Sequence, residues 1–280
     1  MRPLLPLAAL LCLVFAYGAR AELPCGEVVT VATHAGTTTR YAYNPPKAAQ
    51  ASPVALVLLP GGGGHLDLDA AGCPRALKGN SLVRSAPLFQ ALGFHTALVD
   101  APSDMPGEDG LAGFRLSAEH ANDLGRIVAD VRARSGGAAV WLVGTSRGSI
   151  SAANAAARLA GPAAPEGVVL TSALMFGQSG GRKAYVSQTV FDVPLESIRI
   201  PLLVVGHAED GCVRSPAKLM GGIAERAGSA RKQAVTVTGG PGGAGSTGLA
   251  ACEGKAPHGF IDQEEEVAAG IARFIRGGRY

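Results

Sequence analysis

"WLVGTSRGSISAANAA", residues 141–156, combines an apolar run, a short turn and a series of small helix-forming residues. Ser146 stands at the centre of the turn, between Gly144 and Gly148. A strand, a tight turn with a central serine and a closely packed helix are the parts of a nucleophile elbow. Glycines suit this turn because a Cβ would have no room beside the neighbouring strand and helix. The alternative is a small-residue turn in which Ser146 only caps the helix.

Short apolar runs alternate with helical patterns along the rest of the chain. The runs are typical of strands buried on both faces and occupy residues 54–59, 94–99, 138–143, 167–170, 201–205 and 234–237. Helical patterns mark residues 117–134, 150–159, 216–227 and 264–275. We therefore predict the α/β class, with a mostly parallel central sheet and helices on both faces. A hairpin over residues 27–32 and 37–43 adds an antiparallel edge.

The first 21 residues have the features of a secretory signal. Arg2 precedes an almost entirely apolar run, residues 4–17, and residues 19–21 fit a small-x-small cleavage site. The run is short for a membrane span, which needs about 20 apolar residues. We expect a cleaved signal (1–21), one domain over residues 22–280, export to the periplasm or the outside, and no stable membrane insertion. The formal charge of +3 and the lack of a long Lys/Arg cluster argue against a nucleic-acid partner.

Two more segments at strand ends carry groups that a serine nucleophile needs. A serine hydroxyl requires an adjacent base, and a carboxylate orients that base. His258 lies in a Pro-His-Gly-Phe loop before the last helix, and Asp210 follows the fifth apolar run, with Glu209 as the alternative acid. The chain order of Ser146, Asp210 and His258 is the order of the catalytic triad in α/β-hydrolases. A solvated acidic turn is the structural alternative for Asp210.

The first buried strand ends in a run of four glycines, residues 61–64. Such a loop can direct backbone N–H groups at a ligand, and an oxyanion hole needs two such donors. We predict that one donor is the N–H of Arg147 and the other that of Gly62 or Gly63. A flexible loop is the alternative, and a phosphate cradle is disfavoured because no Gly-Lys-Ser/Thr follows. The Arg147 guanidinium could bind a substrate carboxylate or form a salt bridge on its helix.

Four cysteines remain after cleavage of the signal: Cys25, Cys73, Cys212 and Cys252. An even number in an exported chain indicates disulfides. Cys212 follows Asp210 by two positions and Cys252 precedes His258 by six. If the carboxylate and the imidazole touch, these two cysteines are neighbours. We therefore predict the pair Cys212–Cys252, which leaves Cys25–Cys73.

Three further side chains are candidates for the substrate pocket: His65, Asp104 and His207. His65 also alternates with Asp67 and Asp69 in HLDLD, a pattern that could suggest a metal. No fourth ligand is apparent, so we expect no metal site. Arg115, Glu119, His120 and Asp123 could form a buried polar cluster.

The chain resembles α/β-hydrolase-fold proteins, in particular exported bacterial hydrolases of the dienelactone-hydrolase-like group. The resemblance rests on LLPGGGG, VDAPSD, VWLVGTSRGSISAANAA, LLVVGHAEDGC and PHGF, and covers most of the chain from residue 54 onward. It implies Ser146 as nucleophile, His258 as base and Asp210 as acid. Many dienelactone-type enzymes have a cysteine nucleophile, so the serine points instead to ordinary ester hydrolysis.

We accordingly expect a serine hydrolase that cleaves an ester of a small molecule and needs no cofactor. The rival functions are an acyltransferase or a peptidase with the same triad, and a non-catalytic binding protein on a hydrolase scaffold. A binding protein has no need to keep all three triad groups. Product analysis separates the hydrolase from the acyltransferase.

Overall fold

The elements of the chain alternate between strands and helices after an initial hairpin. The computed structural model describes residues 25–48, 52–178, 183–241 and 247–280. The strands are β1 (Glu27–Ala32), β2 (Thr38–Asn44), β3 (Val54–Leu59), β4 (His95–Pro102), β5 (Ala139–Thr145), β6 (Gly167–Thr171), β7 (Leu202–His207) and β8 (Lys232–Val237). The α-helices of the described ranges are α1 (Ser81–Ala91), α2 (Ala118–Arg134), α3 (Gly148–Arg158), α4 (Gly221–Arg226) and α5 (Glu264–Ile275).

The eight strands of the described ranges belong to one sheet, in the order β1-β2-β4-β3-β5-β6-β7-β8. β2 pairs antiparallel with both β1 and β4, and the other neighbours pair in parallel. The predicted mostly parallel sheet with an antiparallel edge is confirmed. The predicted signal, residues 1–21, lies outside the described residues, among which no helix is long and apolar enough to span a bilayer.

Two hydrophobic cores cover the two faces of this sheet. Alternate side chains of a strand point to opposite faces, so Val140 and Leu142 of β5 join one core and Trp141 and Val143 join the other. The first core includes apolar residues of α2, α3 and α4, and the second includes those of α1 and α5. The continuous apolar runs in the sequence follow from this burial on both faces.

The helical elements differ from the prediction in two places. Helix α1 has no counterpart among the predicted helices: Asn80 caps it by accepting a hydrogen bond from the Leu82 N–H, and Pro87 lies inside it. Pro87 removes an internal hydrogen-bond donor and obscures the helical pattern. The helix predicted over residues 216–227 is instead a 3₁₀ turn, Ala217–Leu219, followed by the shorter α4. Gly221 and Gly222 stand at the start of α4 and weaken helix formation there.

The parallel strands place three loops at one edge of the sheet, beyond their carboxyl ends. These loops follow β3, β5 and β7 and carry the glycine run, Ser146 and Asp210. His258 lies in a 3₁₀ turn, Pro257–Gly259, shortly before α5. Functional groups in open α/β sheets gather at this edge.

Candidate active site

Ser146 occupies a sharp turn between β5 and α3. Its φ is +51°, in the left-handed region that costs a non-glycine residue about 1–2 kcal/mol. A Cβ on Gly144 would lie 2.4 Å from the Gly148 carbonyl oxygen, and one on Gly148 would lie 2.0 Å from the Leu59 oxygen. Both glycines are therefore required by the close approach of the backbone, as predicted.

Hydrogen bonds from neighbouring segments hold this strained turn in place. The Ser146 N–H donates to the Thr171 carbonyl at 2.9 Å. The Ser149 hydroxyl donates to the Ser146 carbonyl at 2.6 Å and accepts from the Leu174 N–H at 3.2 Å. The role of Ser149 was not predicted, because a serine near a helix start has no sequence signature for this bond.

His258 and Asp210 are in direct contact. His258 Nδ1 lies 2.9 Å from Asp210 Oδ2, and the two side chains are 4% and 0% exposed. Asp210 Oδ1 accepts a hydrogen bond from the Cys212 N–H at 2.9 Å. Since the carboxylate only accepts, His258 Nδ1 is the donor, and Nε2 is left unprotonated in the neutral ring. Glu209, the alternative acid, is exposed.

His258 and Ser146 line one cavity. His258 Nε2 is buried and has no hydrogen-bond partner among the described residues. His258 and Ser146 both line a cavity of about 270 Å³, together with Thr145, Gly61 and Gly62. The proposed base and the serine therefore border a single space that a small molecule can enter.

Two side chains that the sequence did not reveal hold the His258 loop. The Ser172 hydroxyl donates to the His258 carbonyl at 2.7 Å. Arg84 of α1 donates to the carbonyls of Gly254 and Gly259, both at 2.8 Å, and pairs with Glu264 of α5. Such bonds to backbone carbonyls leave no pattern in a sequence.

The disulfides Cys212–Cys252 and Cys25–Cys73 are both present, as predicted. Cys212–Cys252 joins the loop that carries Asp210 to the segment before His258. The Sγ of Cys212 lies within 4.8 Å of potential ligand atoms on Asp210 and His258. Its sulfur is bonded to Cys252 and is no thiolate, so this cluster does not fit a metal ion.

The glycine loop packs directly against the serine turn. A Cβ on Gly61 would lie 2.9 Å from Ser146 Cβ. Gly62 lines the cavity that contains Ser146, whereas Gly63 lines the adjoining cavity. Among the described residues, no hydrogen bond occupies the backbone N–H of Arg147, Gly62 or Gly63. The position of Gly62 makes it the better candidate of the two for the second oxyanion donor.

Arg115 supports the glycine loop from behind and is 1% exposed. Its guanidinium donates to the carbonyls of Gly62 at 3.1 Å and Pro60 at 3.4 Å, and to the Ser151 hydroxyl of α3 at 2.8 Å. Ser151 also lies 2.9 Å from His120 Nε2. Burial lowers the pKa of Arg115 to about 9 and that of His120 to about 3. The Arg115 side chain therefore connects the glycine loop to α3, the helix that follows Ser146.

The predicted polar cluster forms only in part. Arg115, His120 and Asp123 are buried, whereas Glu119 is exposed. Asp123 Oδ2 lies 2.6 Å from Nδ1 of His34. His34 therefore belongs to this buried network.

The three predicted pocket residues have different environments. His65 lines the cavity that adjoins the one containing Ser146. Asp104 and His207 do not line the Ser146 cavity, and the prediction needs correction for both. Asp104 pairs with His34 Nε2 at 3.2 Å. His207 is buried, and its Nε2 lies 2.6 Å from Gln263 Oε1. Its Nδ1 accepts a hydrogen bond from the Glu209 N–H at 3.1 Å, so the ring contacts the start of the loop that carries Asp210.

Solved structures with a similar fold come from several bacteria. An α/β serine hydrolase without a lid from Xanthomonas campestris is 17% identical, with 90% of this chain and 95% of that chain covered and a TM-score of 0.57. A thermophilic esterase from Thermogutta terrifontis is 16% identical, with 91% and 94% covered and a TM-score of 0.57. The esterase RhEst1 from a Rhodococcus species is 15% identical, with 90% and 99% covered and a TM-score of 0.56.

No protein-family model and no curated protein matches the sequence. The structural matches extend over nine-tenths of the chain, and the matched proteins are described as a serine hydrolase and esterases. At this level of identity the likeness concerns the fold. The serine turn, the sheet order and these matches together show that the chain has the α/β-hydrolase fold.

Proposed function

We propose that this protein is a serine hydrolase that cleaves carboxylic esters of small molecules through an acyl-enzyme. Ser146 is the nucleophile, His258 the general base and Asp210 the carboxylate that orients it. The observation that carries the proposal is that His258 lines the cavity of Ser146 with an unpartnered Nε2, while its Nδ1 is held by Asp210.

The proposed reaction has two steps of acyl transfer. The Ser146 hydroxyl attacks the ester carbonyl while His258 Nε2 removes its proton. Asp210 stabilises the resulting imidazolium, and the N–H groups of Arg147 and Gly62 donate to the oxyanion. His258 then protonates the leaving alcohol and activates the water that hydrolyses the acyl-enzyme.

We also propose that residues 1–21 direct export and that residues 22–280 form the mature domain. Two disulfides are the support for this proposal, because disulfides persist in oxidising compartments and are rare in the cytosol. N-terminal sequencing of the protein secreted by an expressing bacterium tests it, and a chain that retains Met1 in the cytosol contradicts it.

A fluorophosphonate probe tests the proposed activity. The mature, oxidised protein, Ser146→Ala and the control Ser135→Ala are each incubated with the probe and assayed on short p-nitrophenyl esters. Labelling and turnover that vanish in Ser146→Ala and persist in Ser135→Ala are expected, because Ser135 only caps α2. A folded wild type that neither labels nor turns over contradicts the proposal and favours a binding protein. Product analysis in the presence of added alcohols separates hydrolysis from acyl transfer.

A further inference from the structure

Arg147 directly follows the proposed nucleophile in the chain, and its guanidinium has few hydrogen-bond acceptors in the protein around it. Its guanidinium carbon lies 4.5 Å from the centre of the Tyr185 ring. Its hydrogen bond to protein is a long one, 3.4 Å from Nη2 to the Ala112 carbonyl oxygen. A guanidinium offers five N–H donors, so most of them have no protein acceptor among the described residues.

Arg147 also lacks a salt-bridge partner within the described ranges. Asp109 is near enough to favour its charge but accepts hydrogen bonds from Lys183 and the Tyr185 hydroxyl instead. Burial lowers the pKa of Arg147, Arg214 adds to this effect, and Tyr185 and Asp109 oppose it. Within the described ranges, the salt bridge on the helix, one of the two sequence interpretations, is therefore absent.

Arg147 lines a cavity that adjoins the proposed catalytic site. This cavity has a volume of about 790 Å³ and is lined by Arg147, Tyr185 and Lys183. It shares Gly62, Leu77 and Glu253 with the cavity of Ser146 and His258. A substrate whose ester group lies at Ser146 can thus extend along the wall that contains Arg147.

The other charges of this wall differ from Arg147 in their environment. Lys183 is half exposed and is paired with Asp109. Glu108 and Glu253 are exposed, so water screens their charges. Arg147 is more enclosed, which strengthens its interaction with an anion. The enclosed unpaired charge of the cavity is therefore positive.

We propose that Arg147, held in orientation by Tyr185, binds a carboxylate of the substrate beside Ser146. The planar guanidinium fork matches a carboxylate in a bidentate geometry, and stacking on an aromatic ring fixes its plane. The inference rests on the proposed ester hydrolysis and narrows its substrate class to small esters that carry a carboxylate.

Two esters with the same leaving group test the inference. Mono-p-nitrophenyl glutarate carries a carboxylate at the end of its acyl chain, whereas p-nitrophenyl hexanoate has a similar length and no charge. The readout is the ratio of kcat/KM for the glutarate to kcat/KM for the hexanoate. Because both esters use the same triad and leaving group, this ratio is insensitive to a general loss of activity.

We expect the ratio to fall by about tenfold or more in Arg147→Gln, the effect of losing roughly 1.4 kcal/mol of differential binding. Arg158→Gln is the matched control, since Arg158 lies at the other end of α3 and bonds to Asn154. Its ratio is expected to remain within about twofold of the wild type. A fall of less than about tenfold in Arg147→Gln overturns the inference.

A measurement on the wild type alone keeps the inference testable if Arg147→Gln does not fold. The wild type should hydrolyse mono-p-nitrophenyl glutarate with a higher kcat/KM than its neutral monomethyl ester. Equal or reversed values overturn the anion site but leave the hydrolase in place. A wild type that hydrolyses none of the esters, and does not react with the fluorophosphonate, contradicts the proposed function itself.

Discussion

His258 Nδ1 and Asp210 Oδ2 lie 2.9 Å apart, although the two residues are 48 positions apart in the chain. The Cys212–Cys252 disulfide bridges the same two loops, and the Cys212 N–H donates to the second carboxylate oxygen. The orientation of the proposed base therefore depends on one covalent bond and two hydrogen bonds that act on the same few residues.

Replacing the carboxylate by an amide should remove the orientation of His258. We expect Asp210→Asn to lower kcat on p-nitrophenyl esters by about 10³–10⁴-fold, because the amide favours the wrong tautomer of the imidazole. Glu209→Gln is the matched control, since Glu209 is the adjacent, exposed acid. Steady-state kinetics of the two variants decide between the acids. An equal loss of kcat in the two variants, or a larger loss in Glu209→Gln, would show that Asp210 is not the carboxylate that orients His258.

The two disulfides should stabilise the protein equally and support activity unequally. They close loops with sequence separations of 40 and 48, so removing either should lower the free energy of unfolding by about 4 kcal/mol in the chain-entropy model. Two double variants compare the bonds: in one, Cys212 and Cys252 are replaced by serine, and in the other, Cys25 and Cys73. Urea unfolding measures the stability of each variant, and kinetics on p-nitrophenyl esters measure its activity.

At a temperature where both double variants are folded, we expect the Cys212/Cys252 variant to have a lower kcat than the wild type. The Cys25/Cys73 double variant should retain the wild-type kcat, because that bond joins the segment before β1 to residues beyond the glycine loop. Equal kcat values in the two folded variants would show that the Cys212–Cys252 disulfide does not position Asp210 and His258.

Arg115 should affect catalysis through the glycine loop that it supports. Its lysine replacement keeps a positive charge but cannot donate to Pro60, Gly62 and Ser151 in the same fork geometry. We expect Arg115→Lys to lower kcat by about tenfold or more, with KM changed by less than about threefold, because the oxyanion forms only in the transition state.

Arg126→Lys is the matched control for Arg115→Lys. Arg126 also donates to two backbone carbonyls, those of Ala32 and Thr33, but these lie at the end of the edge strand β1. Kinetics on p-nitrophenyl esters, with circular dichroism as the test of folding, compare the two. A similar small effect in both variants would reduce Arg115 to a structural role.

The lowered pKa of buried His120 should make the protein less stable in acid. Burial lowers its pKa from 6.5 to about 3, with smaller contributions from Arg115 and His34. Between these values the unfolded chain binds a proton that the native protein does not, so stability falls as the pH drops below about 6.5. This group alone accounts for a loss of about 2 kcal/mol between about pH 7 and pH 5.

Urea unfolding of the wild type and His120→Gln at the two pH values measures this contribution. Gln keeps an acceptor for Ser151 but does not titrate. The free energy of unfolding of His120→Gln should therefore fall by about 2 kcal/mol less than that of the wild type between the two pH values. The raised pKa of His34 acts in the opposite direction and is common to both proteins. An unchanged pH dependence in His120→Gln would mean that folding does not lower the pKa of His120.

The serine turn, the chain order of the proposed triad and the disulfide pairs could all be predicted from the sequence. Each depends on local geometry or on one inferred contact: Gly144 and Gly148 are required by the turn itself, and the cysteines follow from contact between Asp210 and His258. The continuous apolar runs likewise indicate strands buried on both faces, because their burial leaves no polar side.

Which groups support the site, and which lie outside it, depends on contacts between distant parts of the chain. Arg115, Arg84 and Ser172 act on backbone carbonyls of distant loops, and a carbonyl is the same at every position of a sequence. The positions of Asp104 and His207 depended in the same way on distant partners, His34 and Gln263. Local sequence thus determined the turns and strands, whereas long-range packing determined which polar groups meet, because hydrogen-bond partners are chosen by proximity in space.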